Sequence, residues 1–453
     1  MSLEKYSMTM PRTVYSGMDA LENLKTIVKD AKKVAIFTDR GILSTGLVDL
    51  PLAKLQEAGK ETIVISDLPP EPTYMQVQKL VDEFKASGAD FIVAVGGGSA
   101  MDTAKLASLL ATERYTVKDL LDDPTLAVKT VKTCLIPTTA GTGSEATPNA
   151  IVAVPEQELK IGIVNSSMVP DYVVLDAEMI RKLPRKIAAA TGIDAMAHAI
   201  ECFTSNKANP FSDIFALEAF DLIMNNIETA CDDPDTMEAK NRMQIAAFYA
   251  GVAITCSGTT AVHALSYPLG GKYHIAHGVS NAILLVPVMK FNEPVIRGKL
   301  AAAYDRIVHG EKTCTTEAEK SAWVVERMGQ IVRHLDIPTS LSEFNVPRED
   351  LDGLVTAEEK TLWEKHESGP QSIHIWAPEI HYLFGGWYIY YAAGDKDDIW
   401  NIRPYVLHCK GEDPMKDEWE ELGMMQAADE DEFSFHAFSL DATVFEHRGE
   451  WYY

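Results

Sequence analysis

The first part of the chain alternates short apolar runs with longer segments of helical periodicity. Three runs rich in Val, Ile and Phe are predicted to be buried strands, at residues 33–38, 61–66 and 90–95. Two amphipathic segments between them are predicted to be helices, at residues 45–59 and 73–87. This alternation predicts an open parallel sheet covered by helices on both faces, so we assign residues 1–188 to an α/β domain.

From residue 184 onward the pattern changes to long Ala- and Met-rich stretches with helical periodicity. Three of these stretches are predicted to be helices, at residues 187–204, 211–229 and 237–257. Strand-like runs are rare here, so residues 189–355 are expected to form a second, all-helical domain. A cleft between a sheet domain and a helical domain is a usual place for a small-molecule site.

The pattern changes again near residue 356. Strand-like runs separated by Gly and Asp turns are predicted at residues 387–391, 403–408 and 443–447. Six of the seven tryptophans lie in residues 356–453. The same stretch holds 7 Lys and Arg against 21 Asp and Glu, which gives −14 of the chain's net charge of −25. We therefore expect a separate β-rich fragment, in which the acidic run at 412–432 is a solvated surface.

Composition narrows the class of protein. A chain of 453 residues with 46% hydrophobic residues is long enough for two or three domains with sizeable cores. A net charge of −25 argues against nucleic acid and anionic membranes as partners. The six cysteines are scattered without a C-x-x-C pair, which is typical of a reduced compartment. Residues 1–17 lack the apolar core of a signal peptide and no 18-residue apolar run occurs, so a cytoplasmic protein is expected.

Three loops at the predicted carboxyl ends of strands are candidates for a dinucleotide site, because ligands of open parallel sheets bind at that edge. The first holds Asp39, an acidic side chain suited to a ribose diol and unfavourable for a 2′-phosphate. The second is the glycine run 96–98, followed by Ser99 and a predicted helix from Asp102, where free amides and the helix dipole suit a pyrophosphate. The third, at 137–145, is rich in hydroxyls and glycines and suits a phosphate or a nicotinamide, and Lys160 adds a cation. Each loop alone also fits an ordinary turn, but the three together favour a dinucleotide.

Four residues of the second domain form a candidate metal site. Asp194 and His198 are four residues apart in an Ala-rich predicted helix, so their side chains leave the same face. His263 and His277 follow in small, apolar surroundings. One carboxylate and three imidazoles suit Fe(II), Zn(II) or a related divalent ion. A simple polar pair on a helix surface is the alternative for Asp194 and His198 taken alone.

Several segments resemble the iron-containing (group III) alcohol dehydrogenase family, over about residues 8–355. The segments are GGGSAMDTAK, IPTTAGTGSEATPNAIV, GIDAMAHAIE and HALSYPLGGKYHIAHGVSNAILL. The resemblance implies a Rossmann-like N-terminal domain, an all-helical domain and a divalent ion between them. By motif match it implies four metal ligands, Asp194, His198, His263 and His277. It also implies contacts to NAD from Asp39, Gly97, Gly98, Ser99, Asp102, Thr138, Thr139 and Thr142.

The same resemblance implies a reaction, the NAD-dependent interconversion of small primary alcohols or diols and aldehydes, in a homodimer or larger assembly. The ion, Fe(II) with Zn(II) as the alternative, acts as a Lewis acid towards the alcohol oxygen, and hydride passes to the nicotinamide. Many relatives have a second histidine four residues after His263, where this chain has Tyr267. That departure puts proton relay through this position in doubt and makes His274 the nearer candidate for a catalytic role, with a satisfied polar side chain as the alternative.

Residues 356–453 resemble a different family, the family-43 glycoside hydrolases, which are five-bladed β-propellers. The matching segments are WEKHESGPQSIHIWAPEIHYL, GGWYIYYAAG and SLDATVFEH. Asp441 matches the family's auxiliary aspartate, whereas the general base would precede this fragment and the general acid would follow it. Glu379 is a candidate substitute for the missing general acid. We favour a structural or subsite role for it instead. Because inverting hydrolysis needs both an acid and a base, we expect an inactive partial propeller. The alternative function for the chain is that of a carbohydrate-active protein, a glycoside hydrolase of the arabinanase or xylosidase type, and a third hypothesis is a tail that only makes weak contact with glycans.

The junction near residues 355–356 predicts a chimera of two unrelated genes, formed by natural fusion or by assembly error. The dehydrogenase family normally ends in further helices, which the β-rich fragment replaces here. The helical domain is therefore expected to expose an apolar face, and the propeller strands are expected to leave unpaired edges. Independent transcripts that run without a break across codons 350–362 would support a natural fusion.

Overall fold

The computed structural model describes residues 6–112, 114–157, 159–347, 361–411, 413–414, 416–426, 445–447 and 450–452. Two compact units divide the chain, Met1–Pro347 and Arg348–Tyr453. The first unit contains a parallel sheet followed by a set of long helices, as the sequence predicts. The finer division of this unit at residues 188–189, and the junction at 355–356, stay predictions.

The strands are, in chain order, β1 Thr13–Ser16, β2 Lys33–Phe37, β3 Glu61–Ile65, β4 Phe91–Gly96, β5 Lys132–Pro137, β6 Asn149–Val154, β7 Leu159–Val164, β8 Tyr172–Leu175, β9 Ile373–Leu383, β10 Gly386–Gly394, β11 Arg403–Cys409, β12 Trp419–Met424, β13 Phe445–His447 and β14 Glu450–Tyr452. The α-helices are α1 Leu24–Ile27, α2 Arg40–Ser44, α3 Asp49–Glu57, α4 Tyr74–Ser87, α5 Gly98–Leu109, α6 Val117–Asp122, α7 Arg185–Thr204, α8 Pro210–Asp232, α9 Met237–Ser257, α10 Ala261–Tyr273, α11 His277–Ile307 and α12 Glu317–His334.

Six parallel strands form the sheet of the first unit, in the order β1-β8-β5-β4-β2-β3. The three strands predicted from apolar runs are confirmed as β2, β3 and β4. Every residue of β4 is buried, as expected for a strand covered by helices on both faces. The chain passes from β2 to β3 on one side and later to β4 on the other, so the strand order reverses between β2 and β4.

The helix predicted at 73–87 is confirmed as α4, and its ends show why the sequence forms it. The side chain of Thr73 accepts a hydrogen bond from the amide of Gln76, whose side chain accepts one from the amide of Thr73 in return. Gly88 ends the helix with φ of 67°, a left-handed conformation that costs glycine little. Between these caps one stripe of the helix is buried against the sheet, formed by Val77, Leu80, Val81 and Phe84.

The helical part of the first unit packs around one large apolar cluster drawn from α7, α8, α9, α11 and α12. The three helices predicted there are confirmed as α7, α8 and α9. Helix α11 exposes two large apolar side chains one turn apart, Phe291 and Val295, each 86% exposed. The expected uncovered apolar face of the helical part stays a prediction.

In the second unit, β9 to β12 form an antiparallel sheet in the order β12-β11-β10-β9. A four-stranded sheet whose consecutive strands are neighbours is the arrangement of a propeller blade. The strands predicted at 387–391 and 403–408 are confirmed within β10 and β11. The strand predicted at 443–447 is described only over β13.

Among the described residues no single helix is long and apolar enough to cross a membrane. Helices α9 and α10 pass that test only when they are taken together, as a pair bent by 105°.

Candidate metal and cofactor site

A long cavity opens at the carboxyl ends of β2 and β4, where the strand order of the sheet reverses. Its volume is about 650 Å³. Asp39 follows β2 and the glycine run 96–98 follows β4, so two of the three predicted loops face the same cavity. Open parallel sheets bind nucleotides at this point. The lining residues are 39–41, 67–70, 76, 79 and 97–100.

The glycine run holds β4 and α5 close together. A Cβ atom on Gly96 would lie 2.6 Å from the Cβ of Ala100, so a side chain there would push the helix away from the strand. Gly97 is the N-cap of α5, and the helix begins at Gly98. The first amides of a helix have no partner within it and lie at the positive end of its dipole. The turn is therefore suited to a pyrophosphate group.

Asp39 has two roles at the rim of this cavity. Its Oδ1 accepts a hydrogen bond of 2.9 Å from the amide of Ile42, which caps the N-terminus of α2. Its Oδ2 lies 3.8 Å from the position of a Cβ on Gly96, so the carboxylate faces the glycine turn. The contact of Asp39 with a ribose diol stays a prediction, and this orientation of the carboxylate is compatible with it.

A second cavity, of about 290 Å³, shares Gly98 and Ser99 with the first. The predicted metal ligands Asp194, His198, His263 and His277 line it, together with residues of the loop 142–149 and of the β6–β7 hairpin. The cofactor loops and the candidate metal ligands, which are distant in sequence, therefore face one continuous region of the first unit.

Three helices bring the four metal-ligand candidates together: α7 carries Asp194 and His198, α10 carries His263, and α11 begins at His277. The Nε2 atoms of His263 and His277 each lie 3.5 Å from Asp194 Oδ1. The ligand atoms of these three residues all lie within 4.8 Å of one another. His198 Nε2 lies at 3.9 Å from Asp194 Oδ1, and its ring stacks on that of His263 with centroids 4.3 Å apart.

These distances fit a divalent ion. A tetrahedral ion with bonds of about 2.1 Å keeps its ligand atoms about 3.4 Å apart. The oxygen–nitrogen separations of 3.5, 3.5 and 3.9 Å around Asp194 are close to that value. Asp194 and His263 are 3% and 2% exposed, so these polar groups are out of water and need a partner. One carboxylate and three imidazoles suit Fe(II) or Zn(II).

The charges around the site also match a cation. Burial raises the pKa of Asp194, but His198 and the other two imidazoles outweigh burial and hold it well below its usual range. Burial lowers the pKa of His198 to about 4 and also lowers that of His277. Burial lowers the pKa of His263 too, but hydrogen bonds to Asp194 and Glu201 outweigh it and raise the pKa to about 9. The site thus has excess negative charge, which a divalent ion would neutralise.

Close helix packing holds the ligands in place. A Cβ on Gly278 would lie 2.2 Å from the carbonyl oxygen of Ala190, so only glycine lets the start of α11 approach α7 this closely. His277, next to it, is thereby held beside Asp194. The loop 141–144 is held in the same way, since a Cβ on Gly251 of α9 would lie 2.4 Å from the carbonyl oxygen of Gly143.

The other predicted cofactor residues differ in their surroundings. Asp102 and Thr142 line the second cavity. The carboxylate of Asp102 forms an ion pair with Lys105 and accepts hydrogen bonds from the hydroxyl of Ser144 and the amide of Ile151. Lys160 lies on the second cavity rather than the first, and its Nζ is 2.6 Å from Glu71 Oε1. It therefore faces the cavity that the metal-ligand candidates line.

Thr138 and Thr139 lie beneath the glycine run. The amide of Thr138 donates to the carbonyl of Gly96, and its buried Oγ1 has no hydrogen-bond partner among the described residues. The side chain of Thr139 lies 4.0 Å from the position of a Cβ on Gly97. Neither is among the described residues that line the two cavities. Both threonines therefore contact the glycine turn and do not face either cavity.

One candidate catalytic residue, His274, is not brought to this site. His274 ends α10 with φ of 55°, is exposed, and is not among the described residues that line the second cavity. The expected proton relay thus has no geometric support from this side chain. Asp441 lies outside the described residues. In the second unit, Glu379 is exposed in β9, 3.2 Å from His381 Nε2.

Two residues of the site were not predicted. Glu201 lies on α7 three residues after His198 and contacts His263 Nδ1, and Asn281 on α11 contacts Asp194. Helical spacing from the predicted ligands was the available signal, because Glu201 lies three residues from His198 and Asn281 four from His277. Tyr267, noted as a departure, stacks on His277 with ring centroids 5.8 Å apart.

Comparisons with known families agree with this geometry. Residues 11–177 match the model of the iron-containing alcohol dehydrogenase family, and residues 188–366 match the model of its C-terminal domain. Residues 347–453 match the model of glycosyl hydrolases family 43.

Individual proteins resemble the first part of the chain. Long-chain-alcohol dehydrogenase 1 of Geobacillus thermodenitrificans is 35% identical over 349 residues, covering 76% of this chain and 88% of the relative. NAD-dependent methanol dehydrogenase of Bacillus methanolicus is 32% identical, with 76% and 91% covered. The crystal structure of a 1,3-propanediol oxidoreductase superposes with a TM-score of 0.74 at 28% identity, covering 78% of this chain and 92% of that one.

Proposed function

Residues 11–366 of this chain belong to the iron-containing alcohol dehydrogenase family, and we propose that the protein interconverts small primary alcohols or diols and aldehydes by NAD-dependent hydride transfer at a divalent metal ion. The relatives include dehydrogenases of methanol and of 1-propanol. One observation carries the proposal: the cavity lined by Asp194, His263 and His277 shares Gly98 and Ser99 with the cavity at the nucleotide-binding edge of the sheet.

The ion would be held by Asp194, His198, His263 and His277, and we propose Fe(II), with Zn(II) as the alternative that the same ligand set accepts. When bound, such an ion polarises an alcohol or aldehyde oxygen as a Lewis acid. The dinucleotide supplies the hydride acceptor or donor. The protein would hold the ion and the dinucleotide next to each other and in a fixed orientation.

Named parts of the chain would orient NAD. The turn 97–99 offers amides to the pyrophosphate, and Asp39 offers a carboxylate to the adenosine ribose. Thr142 and Lys160 face the second cavity, where the nicotinamide end would lie. The ion pair of Lys160 with Glu71 fixes that ammonium group at the cavity wall.

The second cavity favours a small substrate. Its volume of about 290 Å³ must hold the nicotinamide end as well as the alcohol. Ile151, Ala153 and Ile254 supply apolar wall, which excludes water from the reacting groups, and Tyr267 narrows the side next to His277. A short primary alcohol or diol fits this space better than a long chain.

Replacement of the metal ligands tests the proposal. Asp194→Asn and His263→Gln should each lower NADH formation from a short primary alcohol about 100-fold or more, since Lewis-acid assistance is worth several kcal/mol. His309→Gln is the matched control, because His309 is 63% exposed and pairs with Asp221 away from both cavities. Ligand variants as active as the control would refute the proposed site.

Three further expectations belong to this proposal. The protein is expected to assemble as a homodimer or a larger oligomer and to act in the cytoplasm. The β-rich fragment is expected to make at most weak contact with glycans, separate from the dehydrogenase reaction.

A further inference from the structure

A buried carboxylate, that of Glu201, lies next to the metal-ligand candidates and is not among the described residues that line the two cavities. Glu201 is 0% exposed, on the same face of α7 as Asp194 and His198. A buried carboxylate is costly unless hydrogen-bond donors surround it, and four donors surround this one. The four donors therefore identify the groups whose positions the Glu201 carboxylate fixes.

The two oxygens of Glu201 serve different neighbours. Oε1 accepts hydrogen bonds from the amide and the hydroxyl of Thr260, at 3.2 and 2.7 Å, and from the amide of Val262 at 2.7 Å. These contacts hold the start of α10. Oε2 faces Nδ1 of His263 within hydrogen-bonding distance. Because an ionised carboxylate only accepts, His263 must carry a proton on Nδ1.

The other edge of the His263 ring meets a donor. The side-chain nitrogen of Asn281 lies 3.2 Å from His263 Nε2 and donates to Asp194 Oδ1 at 2.7 Å. The reverse orientation of this amide would place its oxygen against the Asp194 carboxylate, which is repulsive. In the neutral imidazole, which is the form that can bind an ion, Nε2 therefore acts as the acceptor and keeps its lone pair. Both edges of the ring indicate the same tautomer.

His198 provides the contrast. Its ring stacks on that of His263, but its buried Nδ1 has no hydrogen-bond partner among the described residues. Neighbouring imidazoles of one site thus differ in how firmly they are oriented. A metal-ligating histidine is usually oriented by an acceptor on its second nitrogen, and such acceptors raise metal affinity.

We propose that Glu201 is a positioning residue that fixes His263 in the tautomer with Nδ1 protonated and so presents the Nε2 lone pair to the divalent ion. This inference rests on the proposed metal-dependent function and adds a role for a residue outside the ligand set. It makes His263 more firmly oriented than His198.

The variant Glu201→Gln separates this role from simple capping of α10. The glutamine oxygen can still accept from Thr260 and Val262, which leaves its NH₂ group facing His263 Nδ1. That donor would force Nδ1 to accept and would move the ring proton to Nε2, where it blocks the ion. Thr260→Val is the matched control, because it removes one donor from Oε1 without changing the partner of His263.

The test measures Zn(II) affinity of the full-length, metal-depleted protein by competition with a chelating dye, beside the thermal unfolding midpoint of the metal-free protein. We expect Glu201→Gln to weaken Zn(II) binding about 10- to 100-fold, as for other partners of metal-ligating histidines, while Thr260→Val changes it little. Equal affinity in wild-type and folded Glu201→Gln protein overturns the role of Glu201. Equal weakening in both variants also overturns it, in favour of capping.

If Glu201→Gln does not fold, NMR of the wild-type protein tests the tautomer of His263 directly. In ¹⁵N-histidine-labelled, Zn(II)-loaded wild-type protein, a proton on the Nδ1 of one imidazole should be shifted downfield by its carboxylate, and His263→Gln should remove that signal. Its absence from the wild-type spectrum contradicts the tautomer. Failure of wild-type protein to bind Zn(II) at all would instead refute the metal site itself, whichever alcohols are turned over.

Discussion

At the scale of single residues, Asp39 combines a structural contact with a charge that faces the cofactor cavity. Asp39→Asn keeps an oxygen to cap α2 through the Ile42 amide but removes the negative charge. We expect kcat/KM with NADP to rise about fivefold relative to NAD, because repulsion of a 2′-phosphate by one nearby charge costs on the order of 1 kcal/mol. Steady-state kinetics with both cofactors measures the ratio, and an unchanged ratio would show that Asp39 does not face the ribose.

Glu145 makes stability depend on pH. It is 2% exposed, and burial raises its pKa from 4.5 to about 7. Because the folded-state pKa lies above the unfolded one, its contribution to stability is full below about pH 4.5 and is lost as the pH rises through about 7. Glu145→Gln should therefore be more stable than wild type above pH 7, by on the order of 2 kcal/mol, with no such gain near pH 4.

Urea unfolding between pH 4 and pH 8 measures this difference. Glu311→Gln is the control, since Glu311 is an exposed carboxyl on the same protein. A Glu145→Gln variant that follows the wild-type pH dependence would mean that this carboxyl is not held in its neutral form.

At the scale of elements, the approach of α11 to α7 sets the distance between His277 and Asp194. Gly278→Ala would place a Cβ 2.2 Å from the Ala190 carbonyl oxygen, so the start of α11 must move. We expect a lower unfolding midpoint and metal content below one ion per chain. Gly298→Ala in the same helix is the matched control, because a Cβ there meets nothing within 4 Å.

Calorimetry and elemental analysis compare the two glycine variants. The control should be slightly more stable than wild type, by about 0.5–1 kcal/mol, since alanine favours a helix interior over glycine. Equal metal content in Gly278→Ala and Gly298→Ala would show that this close approach does not hold the site together.

The elements also show what the sequence could and could not predict. Strands β2 to β4 and helices α7 to α9 follow directly from apolar periodicity. Helices α10 and α11 do not, because they contain Pro268, Pro287 and Pro294, and tertiary packing overrides that local signal. The β6–β7 hairpin was likewise not predicted, although it carries Lys160.

The same limit applies to the site. Motif spacing identified the four ligand candidates, since two lie one helical turn apart and all lie in distinctive segments. It could not place His274, whose exposed position follows from the left-handed end of α10. Nor could it identify Glu201 as the partner of His263, because that contact depends on how α7 and α10 pack.

At the scale of the whole molecule, we expect two exposed apolar side chains of α11 to promote self-association. Phe291 and Val295 lie one turn apart and are each 86% exposed. Replacing both with Gln should reduce association at high protein concentration without lowering NADH formation, since neither residue lines the cavities. Light scattering over a concentration series measures the effect, with Lys290→Gln as the control. The same association in both proteins would assign it to another surface.

We conclude that the first unit works as a metal-dependent dehydrogenase although the chain continues into an unrelated β-rich fragment. The most direct test is NADH formation from 1,2-propanediol by full-length protein after metal removal, with and without added Fe(II). We expect negligible turnover without the ion and restored turnover with one ion bound per chain. Turnover that survives complete metal removal, or no turnover from folded, metal-loaded protein, would contradict this conclusion.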